Sequence, residues 1–503
     1  VKNKEVGGMA LKFGTSGLRG LVTEMTDCEC FLYVKAFLRY LKERAAAKPR
    51  AIAIAGDYRP STPRIAQAVA YSIHSESLQI HDCGLIATPA AAYYGMTQGM
   101  ASVIITGSHI PSDRNGIKLN MPDRELLKSD EPEIVKRYEA LKDEEYRFCQ
   151  KGESVFAPDG TLKTTPAIER LDVHRLCKQA YLDRYTRFFS PQCLSDKKIV
   201  FYQHSSVSRE ILPQLLEKLG AEVIRVGWSD EFVSIDTEAV ECGDRLSSMT
   251  LAYSADGLAT TDGDGDRPLI VDEKGNIIRG DVLGVLVAEF LKADAVSTPI
   301  SSNTALEKSA QFLLIERTSI GSPYVIESMN KSLKLGKKRV VGYEANGGFL
   351  TASDFENPET GAMLKALPTR DAALPIIAVL ALSQKKGCSL SELVAALPPR
   401  FTVSGLLRDF PSELGKELVN QFKTRAFTTK AFFPFLGEAS SIDFMDGARL
   451  TFDSNDIVHL RPSGNAPEFR CYTESNTEEK ARDYNKKALD AVERWRSQTR
   501  DVK

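Results

Sequence analysis

Four short stretches of this chain hold the residue types that reactive chemistry needs. In Thr106-Gly107-Ser108-His109-Ile110-Pro111 a hydroxyl stands beside an imidazole, just after the apolar run 103–105. Asn115-Gly116 then reads as a turn and Ile117-Lys118-Leu119 as a returning strand, which brings Lys118 back toward Ser108. A hydroxyl with His109 and Lys118 nearby suits nucleophilic or phosphoryl chemistry. In Asp262-Gly263-Asp264-Gly265-Asp266-Arg267 three carboxylates alternate with glycines and can turn toward one hard cation. An EF-hand is the rival, because Glu273 falls at the twelfth position, but Arg267 stands where that loop requires glycine. The flanks 258–260 and 268–271 also read as strands rather than helices. Three carboxylates leave positions open for Mg²⁺ to bridge to a phosphate oxygen.

The other two stretches suit binding rather than bond-making. Glu344-Ala345-Asn346-Gly347-Gly348 places an acid and an amide on a glycine-rich turn, where they can accept from and donate to the vicinal hydroxyls of a sugar. Arg461-Pro462-Ser463-Gly464-Asn465, with Arg470 beyond it, has the composition of an anion cradle: a bidentate guanidinium, side-chain donors and loop amides. Near the start, 13–20 is a loop with three glycines and Arg19, again able to approach an anion.

The elements that must carry these loops repeat. An apolar strand, a polar loop and a helix follow one another at 51–74, at 199–219 and, more faintly, at 297–314. This predicts three α/β units of related architecture. From about 399 the texture changes to short strands near 441–452, 456–460 and 468–473 before a helix at 477–496, an α+β pattern. Residues 129–170, charged and then rich in Gly, Pro and Thr, are expected to link the first unit to the second. The expected domains are 9–165, 166–277, 278–396 and 397–503. Val1 to Gly8 read as an extension ahead of the folded part.

Composition removes several classes of function. A net charge of -2 over 503 residues gives no global pull toward nucleic acid or a membrane surface, so any anion site must be local. No apolar run approaches membrane-spanning length, and no apolar signal core is seen. Nine cysteines without CxxC pairs point to reduced thiols and a cytoplasmic protein.

Taken together and in this order, the loops resemble those of the α-D-phosphohexomutases. Residues 106–111 look like that family's phosphoserine loop, usually TASHNP; 262–267 match its metal loop; Glu344 and Asn346 fall on its sugar loop, usually GEMSGH; 461–467 fall on its phosphate loop, usually RPSGTEP. The resemblance implies four domains around a central cleft, three of them α/β with mixed sheets and the last similar to the TATA-box-binding protein. It implies a partner that is a small sugar phosphate, interconverted between its 1- and 6-phosphates through phospho-Ser108 and a bound hexose 1,6-bisphosphate. In that mechanism Asp262, Asp264 and Asp266 with Ser108 hold Mg²⁺, Arg19 and Arg267 add positive charge, and Lys118 and His109 carry protons. Glu344 and Asn346 then hold the sugar, while Arg461, Ser463, Gly464, Asn465 and Arg470 hold the phosphate that is not reacting. The Glu-Ala-Asn-Gly-Gly form of the sugar loop looks most like bacterial phosphomannomutases, which favours mannose phosphate over glucose phosphate. A phosphoglucosamine mutase and a non-catalytic sugar-phosphate-binding protein are the alternatives. Gly107 and Ile110 depart mildly from the family pattern, Asn465 and Ala466 replace Thr-Glu, and Gly348 stands where many members have histidine.

Overall fold

The computed structural model describes residues 11–44, 49–164, 166–463 and 467–501. Three mixed sheets follow one plan. In the first, Ala51–Gly56 runs parallel to Gln79–Leu85 on one side and to Ala101–Ile105 on the other, and Arg114–Asn120 then returns antiparallel. In the second, Lys198–His204 is flanked in parallel by Glu222–Trp228 and Gly257–Thr261, and Pro268–Asp272 returns antiparallel. In the third, Ala295–Pro299 lies parallel to Leu314–Thr318 and Val340–Tyr343, with Phe349–Thr351 returning. The three candidate loops 106–113, 262–267 and 344–348 therefore occupy the same station, the tip of the antiparallel hairpin in each sheet. The short strand Leu171–Asp172 closes the far edge of the first sheet against Gln79–Leu85.

Burial on both faces explains why these strands read as apolar runs. Ile52 and Ile54 pack with Val103 and Ile105 under the helix Asp27–Arg44, while Ala53, Ala55 and Ile104 face the opposite side. That opposite side is one continuous core. It joins Ala87 and Ala90 to Tyr181 and Leu182, to Val285–Val287 and to the helix Ala373–Lys386.

The C-terminal sheet is wholly antiparallel, in the order Phe401–Leu407, Phe469–Ser475, Ile457–Pro462, Ala448–Phe452, Ala439–Asp443. It has its own core around Phe410, Leu418, Phe422, Phe433 and Leu460. It meets the rest through polar groups: Asn303 Nδ2 donates to the Arg400 carbonyl at 2.9 Å, the Thr304 N–H to Glu474 at 3.1 Å, and the Ile320 N–H to Asp446 at 2.9 Å. Among the described residues no helix is long and apolar enough to cross a membrane, and all nine cysteines are free thiols.

Four expectations need correction. Asn115-Gly116 is not a turn but the start of the strand Arg114–Asn120, where Gly116 pairs with Arg19 and its carbonyl accepts from the Thr106 N–H at 3.0 Å. Glycine is required there by close approach, since a Cβ would lie 2.5 Å from the Leu18 carbonyl oxygen. Residues 13–20 are not a free loop, because Leu18–Leu21 is a strand carrying Arg19. The expected linker holds the helix Glu131–Lys151, whose narrow stripe of Ile134, Tyr138 and Leu141 is hidden in the sequence by charge on the other faces. The expected helix at 305–314 is only Ala305–Lys308, and Ala310 leaves it with a left-handed φ of 52° before the strand Leu314–Thr318.

Candidate active site

Ser108 sits at the first hairpin tip, fully buried, with a left-handed φ of 57°. A non-glycine residue there costs of the order of 1–3 kcal/mol and persists only when its surroundings hold it. Arg59 does the holding. Its Nη2 donates to the carbonyls of Ser108 (2.9 Å) and Ile110 (2.6 Å), and its Nη1 to those of Pro111 (2.6 Å) and Arg114 (3.0 Å). Nε pairs with Asp57 at 3.1 Å, both side chains being wholly excluded from solvent, and the Phe232 ring lies 4.1 Å from the guanidinium carbon. Asp57 also accepts from Thr106 Oγ1 at 2.7 Å, and Thr106 Oγ1 in turn accepts from the Ser108 N–H at 2.8 Å. Gly107 gives this guanidinium its room, since a Cβ would lie 2.6 Å from the Arg59 Cζ.

Ser108 Oγ donates to Asp262 Oδ2 at 2.5 Å. Ligand oxygens of Asp262, Asp264 and Asp266 lie within 4.8 Å of one another, all three residues being buried. Oδ1 of Asp264 and Oδ1 of Asp266 are buried without a hydrogen-bond partner. An all-oxygen donor set, with two orphaned carboxylate oxygens beside the Ser108 hydroxyl, fits a hard divalent cation such as Mg²⁺. The loop is built for this convergence: Asp262 Oδ1 accepts from the N–H groups of Asp266 (3.2 Å) and Arg267 (3.3 Å), and Thr88 Oγ1 holds Asp264 Oδ2 at 2.6 Å.

Lys118 reaches the same centre. Its Nζ donates to Asp264 Oδ2 at 2.6 Å and, still closer, to Asp266 Oδ2. Burial opposes its charge, but Asp264 and Asp266 outweigh burial and keep its pKa above the ordinary lysine value. Asp262 is pushed well above the ordinary carboxylate range by burial and by its two aspartate neighbours, whereas Lys118 outweighs burial at Asp264 and holds it ionised. His109 Nδ1 is 3.4 Å from Ser108 Oγ and 2.7 Å from Arg267 Nη1. Burial, then Arg267 and Arg19, pull its pKa well below the usual histidine value, so it is a neutral imidazole. Arg19 Nη1 approaches the Gly107 carbonyl at 3.5 Å, and burial, then Arg267, lower its pKa to about 10.

At the third hairpin tip Glu344 is buried, and its Oε2 accepts from Arg370 Nε in a close ion pair. Asn346 Oδ1 accepts from the Gly348 N–H at 3.0 Å, and its backbone carbonyl accepts from Thr237 Oγ1 at 2.7 Å. In the C-terminal sheet Arg461 is a strand residue whose Nε pairs with Asp446 at 2.7 Å. Ser463 is buried, and Arg470 lies 3.4 Å from Glu468. Gly464 and Asn465 lie outside the described residues. Burial raises the Glu238 pKa despite the neighbouring Arg470 and Arg279. Arg470 lies near enough to His109 to disfavour its charge.

Three family models match this chain, all described as phosphoglucomutase/phosphomannomutase: alpha/beta/alpha domain I over residues 10–145, domain II over 179–275 and domain III over 279–401. A phosphomannomutase of Salmonella muenchen is 41% identical over 477 residues, covering 94% of this chain and 93% of that protein. The chain belongs to the phosphoglucomutase/phosphomannomutase family. A phosphoglucosamine mutase of Geobacillus kaustophilus is a more distant relative of this phosphohexomutase, 26% identical over 97% of the chain and 99% of that protein. The fold is shared with a solved phosphoglucomutase/phosphomannomutase family protein from Burkholderia thailandensis, with a TM-score of 0.70 at 18% identity over 95% of this chain and 97% of that one.

Three parts of the candidate site escape sequence reasoning. Asp57 and Arg59 follow a buried strand as a charged i, i+2 pair, which is a legible signal, but nothing local says that the guanidinium spans the loop 108–114. Arg370 lies on a strand far from any glycine-rich turn. The irregular segment 229–242 touches three loops at once, through Phe232 on Arg59, Ser234 on the His109 carbonyl and Thr237 on the Asn346 carbonyl. Its composition gives no hint of this.

Proposed function

We propose that this enzyme interconverts the 1- and 6-phosphates of a hexose, mannose phosphate in preference to glucose phosphate, through phospho-Ser108 and a bound hexose 1,6-bisphosphate. The observation that carries the reading is the 2.5 Å contact of Ser108 Oγ with the aspartate cluster. Ser108 Oγ donates to Asp262 rather than to His109, whose Nδ1 is 3.4 Å away and held by Arg267 at 2.7 Å, so the serine is set among the carboxylates that phosphoryl transfer needs. Asp262, Asp264 and Asp266, with Ser108, would hold Mg²⁺, which neutralises charge on the transferring phosphoryl group when bound.

The remaining work falls to the chain. Arg59 fixes the backbone that presents Ser108. Arg19 and Arg267 place positive charge beside it. The substrate hydroxyl attacks phosphorus as the bond to Ser108 Oγ breaks; its proton passes to the neutral His109 imidazole, while the charged Lys118 ammonium gives a proton to the departing Ser108 Oγ. The bisphosphate then turns end for end and returns its other phosphoryl group to Ser108. Glu344 and Asn346 hold hydroxyls near the middle of the ring, which keep similar places in both orientations. Arg461, Ser463, Gly464, Asn465 and Arg470 grip the phosphate that is not reacting. The units 9–165, 166–277, 278–396 and 397–503 each deliver one loop, and the enzyme works in the cytoplasm on a small sugar phosphate.

The test is mass analysis of active protein for phosphate on Ser108, joined to coupled assays on mannose, glucose and glucosamine 1-phosphates. The highest kcat/KM is expected on mannose 1-phosphate, with almost none in Ser108→Ala. Full activity in Ser108→Ala without added bisphosphate refutes the phosphoenzyme, and a preference for glucosamine 1-phosphate refutes the substrate.

A further inference from the structure

We infer that Arg370 is a substrate-binding residue which, paired with Glu344, reads the ring hydroxyls of the hexose. The inference rests on the reading of the 344–348 turn as the sugar loop. Arg370 lies on the strand Leu367–Asp371 and is 2% exposed. Its Nε donates to Glu344 Oε2, while its two terminal nitrogens have no hydrogen-bond partner among the described residues. Those nitrogens are not enclosed, so a hydroxyl entering beside Glu344 can accept from them.

Arg370 lies within electrostatic reach of the reacting centre. Arg370 is felt electrostatically by Lys118 and by Arg19, and Asp266 is among the carboxylates that support its charge. Its backbone is anchored on both sides. Glu125, from the first unit, accepts from Thr369 Oγ1 at 2.6 Å and from Ser322 Oγ at 2.6 Å, and it lies 3.4 Å from the Arg370 N–H. Asp371 accepts from the hydroxyls of Tyr181 and Tyr185. The guanidinium is thus held in place before any ligand arrives, which reduces the ordering cost of binding.

Gly348 belongs to the same device. A Cβ at this position would lie 2.6 Å from Arg370 Cδ and 2.8 Å from Cγ, so the arginine stem fills the space a side chain would take. A carboxylate acceptor and guanidinium donors side by side match two adjacent hydroxyls, each of which both donates and accepts. Glu344 alone could only accept. With Arg370 the turn recognises both hydrogen-bonding roles of a vicinal pair.

The experiment crosses enzyme variants with substrate variants. kcat/KM is measured for the parent, Arg370→Met, Arg370→Lys and Gly348→Ala on mannose 1-phosphate and on its 3-deoxy and 4-deoxy forms, with melting temperatures as a check on folding. Hydrogen bonds from charged groups are commonly worth about 1.5–3 kcal/mol, or roughly 10- to 150-fold. The parent should lose a factor in that range on at least one deoxy sugar. Arg370→Met should lose a similar factor on the complete sugar, yet less than threefold on the deoxy sugar whose hydroxyl Arg370 grips. Arg370→Lys should restore the melting temperature but not kcat/KM. Gly348→Ala, which displaces the stem and keeps both charges, should show the same loss of discrimination and decides the matter if Arg370→Met does not fold. Equal losses on complete and deoxy sugars, or a parent indifferent to both deoxy forms, overturn the assignment of Arg370 while leaving the mutase reading intact. A parent inactive on every hexose phosphate removes the mutase reading itself, and this inference with it.

Discussion

Replacing Arg59 with methionine separates what the phosphoserine loop needs for stability from what it needs for chemistry. The substitution keeps most of the volume and removes every donor. Four loop carbonyls lose their partner, and Asp57 keeps Thr62, Thr106 and a backbone N–H but loses its counter-charge. Breaking a buried ion pair by removing one member typically costs about 3–5 kcal/mol. Ser108 is held at a φ of 57°, so releasing the clamp also frees about 1–3 kcal/mol of backbone strain. If that strain pulls the loop away from Asp262, the productive geometry falls about 5- to 150-fold in population. Urea unfolding should show the first effect and kcat the second. The double variant Asp57→Asn/Arg59→Met, which no longer buries a lone charge, should recover much of the stability but none of the kcat. An Arg59→Met enzyme within threefold of the parent in kcat would refute the clamp. So would a double variant that regained activity with stability.

Chelation followed by dialysis should abolish turnover and Mg²⁺ should restore it, with elemental analysis confirming metal removal; unchanged rates in metal-free protein would refute the aspartate site. Lys118→Met should lower kcat by about 10²- to 10⁴-fold, the usual worth of a placed proton carrier, and a loss below threefold would return Lys118 to a purely electrostatic role. Burial lowers the His459 pKa to about 4, so the folded chain excludes a proton that the unfolded chain takes up below its ordinary value of 6.5. This contribution to stability is whole above that ordinary value and is lost as pH falls toward 4, by about 2 kcal/mol at pH 5. His459→Gln should therefore flatten the change in urea midpoint between pH 7 and pH 5, and an unaltered slope would refute the assignment.

What the sequence made legible were contacts carried within one loop. Asp262, Asp264 and Asp266 converge because alternate glycines turn them, and this needs no knowledge of distant residues. Ser108 and Lys118 are joined by one hairpin, so they too are within reach, although its turn lies at 106–113 and not at Asn115-Gly116. Contacts made between distant elements or across units were not legible. Arg370 meets Glu344 past the intervening strand Phe349–Thr351, Glu125 crosses from the first unit to the third, and Phe232 reaches Arg59 from the second. Periodicity reports which face of an element is apolar, not which element it meets. The helix Glu131–Lys151 shows the same limit from the other side, since three buried residues in 21 are too few to stand out.

The seam between the C-terminal sheet and the third unit has a thermodynamic consequence. No large apolar cluster bridges it among the described residues, and its polar contacts include amide, hydroxyl, carboxylate and guanidinium hydrogen bonds around Asn303, Thr304, Ile320, Arg400, Glu474 and Asp446. Parting this seam exposes hydrogen-bonding groups together with only a few apolar side chains, Ile300, Ile457 and Tyr472, and the heat-capacity change on opening should accordingly be small. Opening would then vary little with temperature, while ionic strength and charged ligands in the cleft would move it strongly. Unfolding of the shared core of the first three units carries the opposite signature, so calorimetry can tell a hinge movement at this seam from partial melting of the chain.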